Sequence, residues 1–463
     1  MQKKQKIAII GGGFSGTMTA VQLSRMSSTA EITLINDKIN FNRGIAFNPY
    51  SKKHLLNVPT ARMSAFQEQP DHFLDWIVSC PDFKEPDRAL MAGAFLPRHY
   101  FGSYLEHIWN ENFAQHGSRI KIIHDEVVQL ECSSSYVHLK THEHTNLIFD
   151  FCVLANGNSL PRNPSIPNTA FFSGKNYFQN PWSIDSVKNT DPTKPVLIIG
   201  NGLTMVDTII GLKEQGFNQT IYSISPHGFN ILPHRHPGLK YTGLTDALDS
   251  TNDLSLLNIL RLVNKHIKLV RSYGVSAEPV IDSLRPYTQK FWMCFSENEK
   301  RLFLSRLRHL WGVARHRIPL HIHDIIQQMR IDGDLKIIAG KLIEIKELDN
   351  NVNIRFYNHR KKSEEIISAS RVINCTGPES DISRLGQHFL NRCLQAGIIE
   401  QDKLKMGINA NPETFEIIGN DKKTNSRLFA IGSNLRGVLW ESTAVGELRK
   451  HAQQVAQTIA SRL

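Results

Sequence analysis

The chain has 463 residues, of which 41% are hydrophobic and 21% charged, and carries a formal net charge of +11 at pH 7. This is the composition of a globular protein with room for two or three domains, and no run approaches the roughly 18 apolar residues of a membrane helix. The basic residues are scattered in short clusters, at 315–317 and 359–362. Nucleic acid and membrane are therefore not expected partners, while a positive field attracts small anions.

In chain order, Lys6 to Ile10 reads as a short apolar strand running into Gly11, Gly12 and Gly13, then a helix that opens with Phe14, Ser15 and Gly16. Four apolar residues ended by three glycines are too few for a signal peptide, so a cytoplasmic chain is expected. A second strand at 31–35 ends in Asn36 and Asp37, and residues 41–115 mix loops and helices. Residues 120–157 read as three strands and an apolar return strand ending at Ala155, Asn156 and Gly157. Pro161, Asn163, Pro164, Pro167 and Asn168 mark a linker. The device then repeats. Pro195 to Ile199 is a strand, Gly200, Asn201 and Gly202 a turn, Leu203 and Thr204 the start of a helix, and 220–224 the next strand. Apolar spacing from about 236 to 330 predicts a helical insertion. Residues 335–377 echo 120–157, and the chain closes with a strand at 428–431, Gly432, and a helix whose apolar face is Val445, Leu448, Ala452, Val455 and Ile459. A domain-sized repeat present twice predicts paired nucleotide-binding folds.

Each part of the turn has a physical task. Gly11 permits the tight turn, Gly13 lets the backbone approach a pyrophosphate, and Gly16 lets helix pack closely on strand. The helix amides and dipole then hold the phosphates. Asn36 or Asp37 is placed to hydrogen-bond a ribose hydroxyl, or simply closes the strand. The second turn keeps Gly200 and Gly202 but has Met205 at the third position, which widens the helix–strand approach. The strand after it ends in Ser225, Pro226, His227 and Gly228, with no carboxylate to repel a 2′-phosphate. That favours NADPH over NADH, with His227, His234 and Arg235 as phosphate candidates, although an ordinary loop position is the simpler reading of each. The amides of Gly432, Glu441, Ser442 and Thr443 are expected to face the first fold's ligand, and 315–317 reads as a solvated helix end or, as the alternative, a site for an anionic substrate. None of the six cysteines forms a C-x-x-C pair, so reduced, mostly buried thiols are expected rather than a disulfide or a metal site.

Several blocks extend this reading over nearly the whole chain: RGIAF at 43–47, HLLNVP at 54–59, MSAF at 63–66, DHFLDW at 71–76, LPRHYFGSYL at 96–105, GNGLTMVD at 200–207 and GVLWESTAV at 437–445. With them the chain resembles a family of FAD/NAD(P)-binding proteins related to the flavoprotein monooxygenases with two dinucleotide-binding domains. The resemblance implies an α/β protein of two Rossmann-like domains. FAD is expected at 1–180 with 372–463, and NADPH or NADH at 190–371, with the helical insertion at about 236–330. It also implies Asn57, Val58 and Arg98 near the flavin, Val127 near the adenine, and Ala155, Asn156 and Gly157 at the interdomain crossover. Phe172, Gly174 and Trp182 are similar to the Baeyer–Villiger fingerprint, but Phe178 stands where that fingerprint has histidine. Related monooxygenases tend to have arginines where Pro226 and His227 stand.

The function so implied is an FAD-dependent oxidoreductase using NAD(P)H, foremost a monooxygenase acting on a small molecule. No side chain is assigned as a catalyst, because the flavin carries the chemistry. The alternatives are an NAD(P)H-dependent flavin reductase or dehydrogenase that inserts no oxygen, and a non-catalytic flavin-binding regulatory protein.

Overall fold

The computed structural model describes residues 4–235, 239–348 and 351–463. The first residues of the expected insertion, 236–238, fall outside the described residues. Strand β1 (Gln5–Ile10) leads through the first glycine turn into helix α1 (Phe14–Met26), and β2 (Ala30–Ile35) and β3 (Ile120–Ile123) follow in parallel. Between β2 and β3 lies α2 (Arg98–His116). The excursion β4 (Val127–Cys132), β5 (Val137–Thr141) and β6 (Leu147–Phe149) forms its own antiparallel sheet, and β7 (Phe151–Leu154) returns beside β1. All four residues of β7 are buried, as expected for a parallel strand covered on both faces.

The second unit repeats the plan. Strand β8 (Tyr177–Phe178) lies at one edge, followed by β9 (Val196–Ile199), α3 (Leu203–Glu214) and β10 (Ile221–Ser225). The insertion intervenes as a series of helices from Gly243 to Ile331, among them α4 (Arg308–Arg315). The 14-residue β11 (Leu335–Leu348) follows, then β12 (Asn351–Asn358), β13 (Ser363–Ala369) and β14 (Arg371–Asn374). The seven strands run in the order β13-β12-β11-β10-β9-β14-β8. The two excursions therefore differ. In the first unit residues 124–126 break the chain between β3 and β4, so the excursion is a separate sheet. In the second, one long strand with an irregularity between Leu342 and Glu344 serves both parts, and the sheets fuse.

The C-terminal segment returns to the first sheet. Strands β15 (Glu416–Ile418) and β16 (Thr424–Ala430) complete it in the order β15-β16-β7-β1-β2-β3, and α5 (Val445–Ala460) packs against α1. Both limits read from the sequence shift here. Residues 177–178 and 371–374 are strands of the second sheet, although 1–180 and 372 onward were expected to belong with the first. The apolar run at 372–374 pairs equally well with β9, and its sequence does not say which sheet it joins. The insertion has its own apolar core, and that core takes in Met406 and Trp440 from the C-terminal segment. Trp292 stacks on Trp440 with centroids 4.8 Å apart and donates Nε1–H to the Gly437 carbonyl at 2.7 Å.

Candidate functional site

The two glycine turns coincide down to their hydrogen bonds. The Gly11 N–H donates to the Ile35 carbonyl and the Ala155 N–H to Ile10, each at 2.8 Å; Gly200 donates to Ile224 and Cys375 to Ile199, again at 2.8 Å. Gly11 (φ +101°) and Gly200 (φ +100°) take the left-handed backbone that favours glycine. A Cβ on Gly11 would meet the Ala155 oxygen at 2.3 Å, and one on Gly200 the Cys375 oxygen at 2.6 Å. Both helices begin at a glycine cap, Gly13 or Gly202, with no side-chain cap, so their first amides are left to a ligand or water. Gly202 faces open space, and Gly13 faces only Gly44, whose Cα lies 3.4 Å from an added Cβ. These are cradles for a pyrophosphate, and two of them fit two dinucleotides.

Around the first turn the chain gathers Ser15, the crossover and Gly432. An added Cβ on Gly432 (φ +84°) would lie 3.2 Å from Ser15 Oγ. Ser433 Oγ donates to the Gly157 carbonyl at 2.7 Å, and Asn434 Nδ2 to Asn156 Oδ1 at 2.8 Å. The ring of Phe14 is buried and stacks against Phe101, which anchors the helix start that carries its backbone amide. Asn36 Oδ1 accepts the Gly12 N–H at 2.8 Å, fastening the strand end to the turn, while Asp37 accepts the Asn40 N–H at 2.7 Å. Val127 opens β4 inside the first core, and Val58 packs on the same core.

Between the units lies a narrow cleft, lined by Leu55, Asn57, Arg98, Leu203, Asp207 and Ile318. Asn57 and Arg98, expected near one cofactor, thus meet Leu203, expected near the other. Arg98 Nη2 lies 2.8 Å from Asp207 Oδ2 on α3, and its Nε–H donates to the Leu55 carbonyl at 2.9 Å. His54 Nε2 lies 3.0 Å from the Asp207 carbonyl, and burial holds its pKa below the usual histidine value. Asp207 and His54 were not singled out from sequence. A carboxylate on the helix behind a glycine turn is the signal that could have found the first; the second had none. Thr204 is half-buried, its carbonyl accepting from Thr208 Oγ1.

Three expectations change. The amides at 441–443 do not open helix α5, which begins at Val445 after Glu441 takes a left-handed turn (φ +63°). The Ser442 and Thr443 amides are thereby used by the Leu439 and Glu441 carbonyls. The Glu441 carboxylate accepts from Trp311 Nε1–H at 2.8 Å and pairs with Arg315 at 3.3 Å. Ser442 Oγ is buried without a hydrogen-bond partner, an orphan that a bound group beside it could satisfy. Next, 315–317 is not a solvated helix end. Arg317 is 3% exposed and pairs with Asp282 and, at 3.3 Å, with Glu278. Finally, His234 and Arg235 do not join His227. His234 lies 3.0 Å from Glu278 and 3.1 Å from the Asn57 carbonyl, and the Arg235 N–H donates to Glu278. Phe178, on the edge strand β8, packs under the Arg371 guanidinium at 4.7 Å.

The cysteines are unpaired, and Cys152, Cys375 and Cys393 are buried. Burial pushes the thiols of Cys375 and Cys393 up to about 12, the reverse of what a reactive thiolate needs. Asp125, Glu143 and His144 stand together on the outside of the β4–β5 excursion, where Asp125 is already used by the Glu126 and Glu143 amides.

Residues 8–159 match a family model described as FAD-NAD(P)-binding. No curated protein matches the chain in a sequence comparison. Among solved structures, the Kutzneria sp. 744 ornithine N-hydroxylase (with reduced FAD, NADP+ and L-ornithine) is similar over 99% of both chains at 12% identity, with a TM-score of 0.67. L-lysine 6-monooxygenase from Pseudomonas syringae has the same coverage and identity at 0.66. The bacillithiol disulfide reductase of Bacillus cereus covers 100% of both chains at 13% identity and 0.55. The chain has the paired dinucleotide-binding fold of these flavoproteins. That fold carries both oxygen-inserting and disulfide-reducing enzymes, so activity is argued from the site.

Proposed function

We propose that this protein is an FAD-dependent oxidoreductase that consumes NAD(P)H and acts as a monooxygenase on a small molecule. The observation that carries the reading is the pair of uncapped glycine-turn helices, alike in their hydrogen bonds. The Gly11–Gly16 turn, with Ser15 and Gly432 facing each other and Ser442 Oγ unsatisfied nearby in the chain, fits FAD. The Gly200–Gly202 turn fits the nicotinamide dinucleotide. Bound flavin supplies the redox chemistry. The chain's own residues bind and orient: α1 and α3 present their N-terminal amides to phosphates, and Arg98 with Asp207 fixes one unit against the other. Dithiol relay is not part of the reading, since three of the six thiols are buried and two of these are held far from ionisation.

The test is anaerobic stopped-flow absorbance of the purified yellow protein with NADPH and NADH, followed by re-oxidation in air. Gly13→Val is expected to strip FAD. Gly202→Val is expected to keep FAD and its reduction by dithionite but to slow reduction by NADPH. Wild-type protein that takes up no FAD, or equal reduction rates in wild type and Gly202→Val, would overturn the reading. Substrate-coupled turnover without excess hydrogen peroxide separates oxygen insertion from simple flavin reduction.

A further inference from the structure

The C-terminal end of β10 collects basic side chains from three distant stretches of sequence. His227 is exposed, stacks on Phe229 with centroids 5.0 Å apart, and lies 4.7 Å from the ring of His309 on α4 of the insertion. Arg308 precedes His309, is exposed, and takes part in no ion pair among the described residues. From the other side His359 Nδ1 lies 3.1 Å from the Pro226 carbonyl, which sets the exposed turn of His359 and Arg360 beside the same strand end. Glu365, which follows that turn on β13, is occupied by Lys361 at 2.6 Å and Asn358 at 3.2 Å.

Partial shielding from water, then the charges of Arg308 and His227, hold the His309 pKa below the usual value, and no acidic group among the described residues offsets them. Like charges gathered in this way are unfavourable until an anion joins them. The position says which anion. In a dinucleotide-binding unit the ribose nearest the adenine lies at the end of the second strand, where a carboxylate accepts from a 2′-hydroxyl and a basic group accommodates a 2′-phosphate. Asn201 Nδ2 donates to the Phe229 carbonyl and so fastens this strand end to the second glycine turn.

We infer that His227 and His309, with Arg308 and the turn at 359–360 behind them, form the recognition site for the 2′-phosphate of NADPH, so that the helical insertion contributes to the dinucleotide site. The inference rests on the proposed reading that the Gly200–Gly202 turn holds a nicotinamide dinucleotide. Both rings are exposed, so replacing either leaves the cores intact.

The experiment is calorimetric titration of the FAD-loaded protein with NADP+ and with NAD+. Wild type is expected to bind NADP+ at least about tenfold more tightly than NAD+, the worth of a hydrogen bond to a charged group. His309→Ala and His227→Ala are each expected to lose about tenfold for NADP+ with NAD+ unchanged, and His309→Arg is expected to restore the preference. Equal binding of the two dinucleotides by wild type, or unchanged NADP+ affinity in both alanine variants, overturns this assignment alone. Failure of wild type to bind either dinucleotide overturns the second-site reading and this assignment with it.

Discussion

Gly16 and Met205 occupy the same place in the two turns, and the contrast shows what the third glycine does. A Cβ on Gly16 would lie 1.8 Å from the Gly11 carbonyl oxygen, closer than any side chain can sit. Met205 instead is 1% exposed and belongs to the core of the second unit. The first helix therefore leaves no room for a side chain at this place, and the second packs one into its core. Gly16→Ala is expected to destabilise by roughly 3 kcal/mol or more, because backbone must move, and Met205→Ala by about 2–5 kcal/mol through cavity formation. Urea unfolding midpoints of the two variants check both. At this scale the turns are legible in sequence, because the steric demand acts between residues few positions apart. The partners of Asn36 are not, since its amide could serve a ribose or the Gly12 N–H, and only the fold shows that it takes the latter.

Elements meet through contacts that no local pattern announces. Arg98 opens α2 and reaches Asp207 on α3, 109 positions further on. Both side chains are mostly buried, 20% and 16% exposed, so removing one leaves the other poorly solvated. Arg98→Ala is expected to cost about 1–3 kcal/mol in unfolding free energy. A double-mutant cycle with Asp207→Asn should return a coupling of at least about 0.5 kcal/mol. The strands and helices of both units were readable from periodicity and turn residues, and so was the existence of a helical insertion. What covers that insertion was not. Its amphipathic helices announce an apolar face, but Trp440 is named as their partner only by the stack on Trp292. The same holds for 315–317, whose charges read as solvent-facing until Asp282 and Glu278 are found beside Arg317. A basic run says nothing of acids that the fold brings from elsewhere.

For the molecule as a whole, acid sensitivity follows from a histidine in the last helix. His451 is buried, packs on Phe415 at 5.1 Å, and has an unpartnered Nδ1. Burial first, then Lys450, pushes its pKa down to about 4. The unfolded chain binds this proton near pH 6.5 and the folded one only near 4. The contribution is therefore complete above 6.5 and lost as pH falls through that window, by an amount on the order of 3 kcal/mol. His451→Leu is expected to flatten the fall in unfolding free energy between pH 7 and 5. An unchanged slope would show that the other buried histidines carry it. Replacing all six cysteines by serine or alanine should leave NADPH-driven flavin bleaching in place, and its complete loss in a folded, FAD-loaded variant would revive dithiol chemistry.

The first sheet is made from both ends of the chain. Strands β1 to β3 and β7 come from the first 154 residues, whereas β16, Gly432 and α5 come after residue 423. During synthesis the whole second unit emerges in between, every strand of its sheet complete by Asn374. The ordinary order, in which the N-terminal domain folds first as the chain leaves the ribosome, is expected to be reversed here. The N-terminal strands are therefore expected to keep an unpaired edge at β7 until β16 is made, and on the proposed reading the first cradle is expected to hold no FAD before then. Ribosome-bound chains stalled near residue 400 should yield a protease-resistant fragment from the second unit and no bound flavin. Between those two events the open edge of β7 is a surface on which another strand could pair.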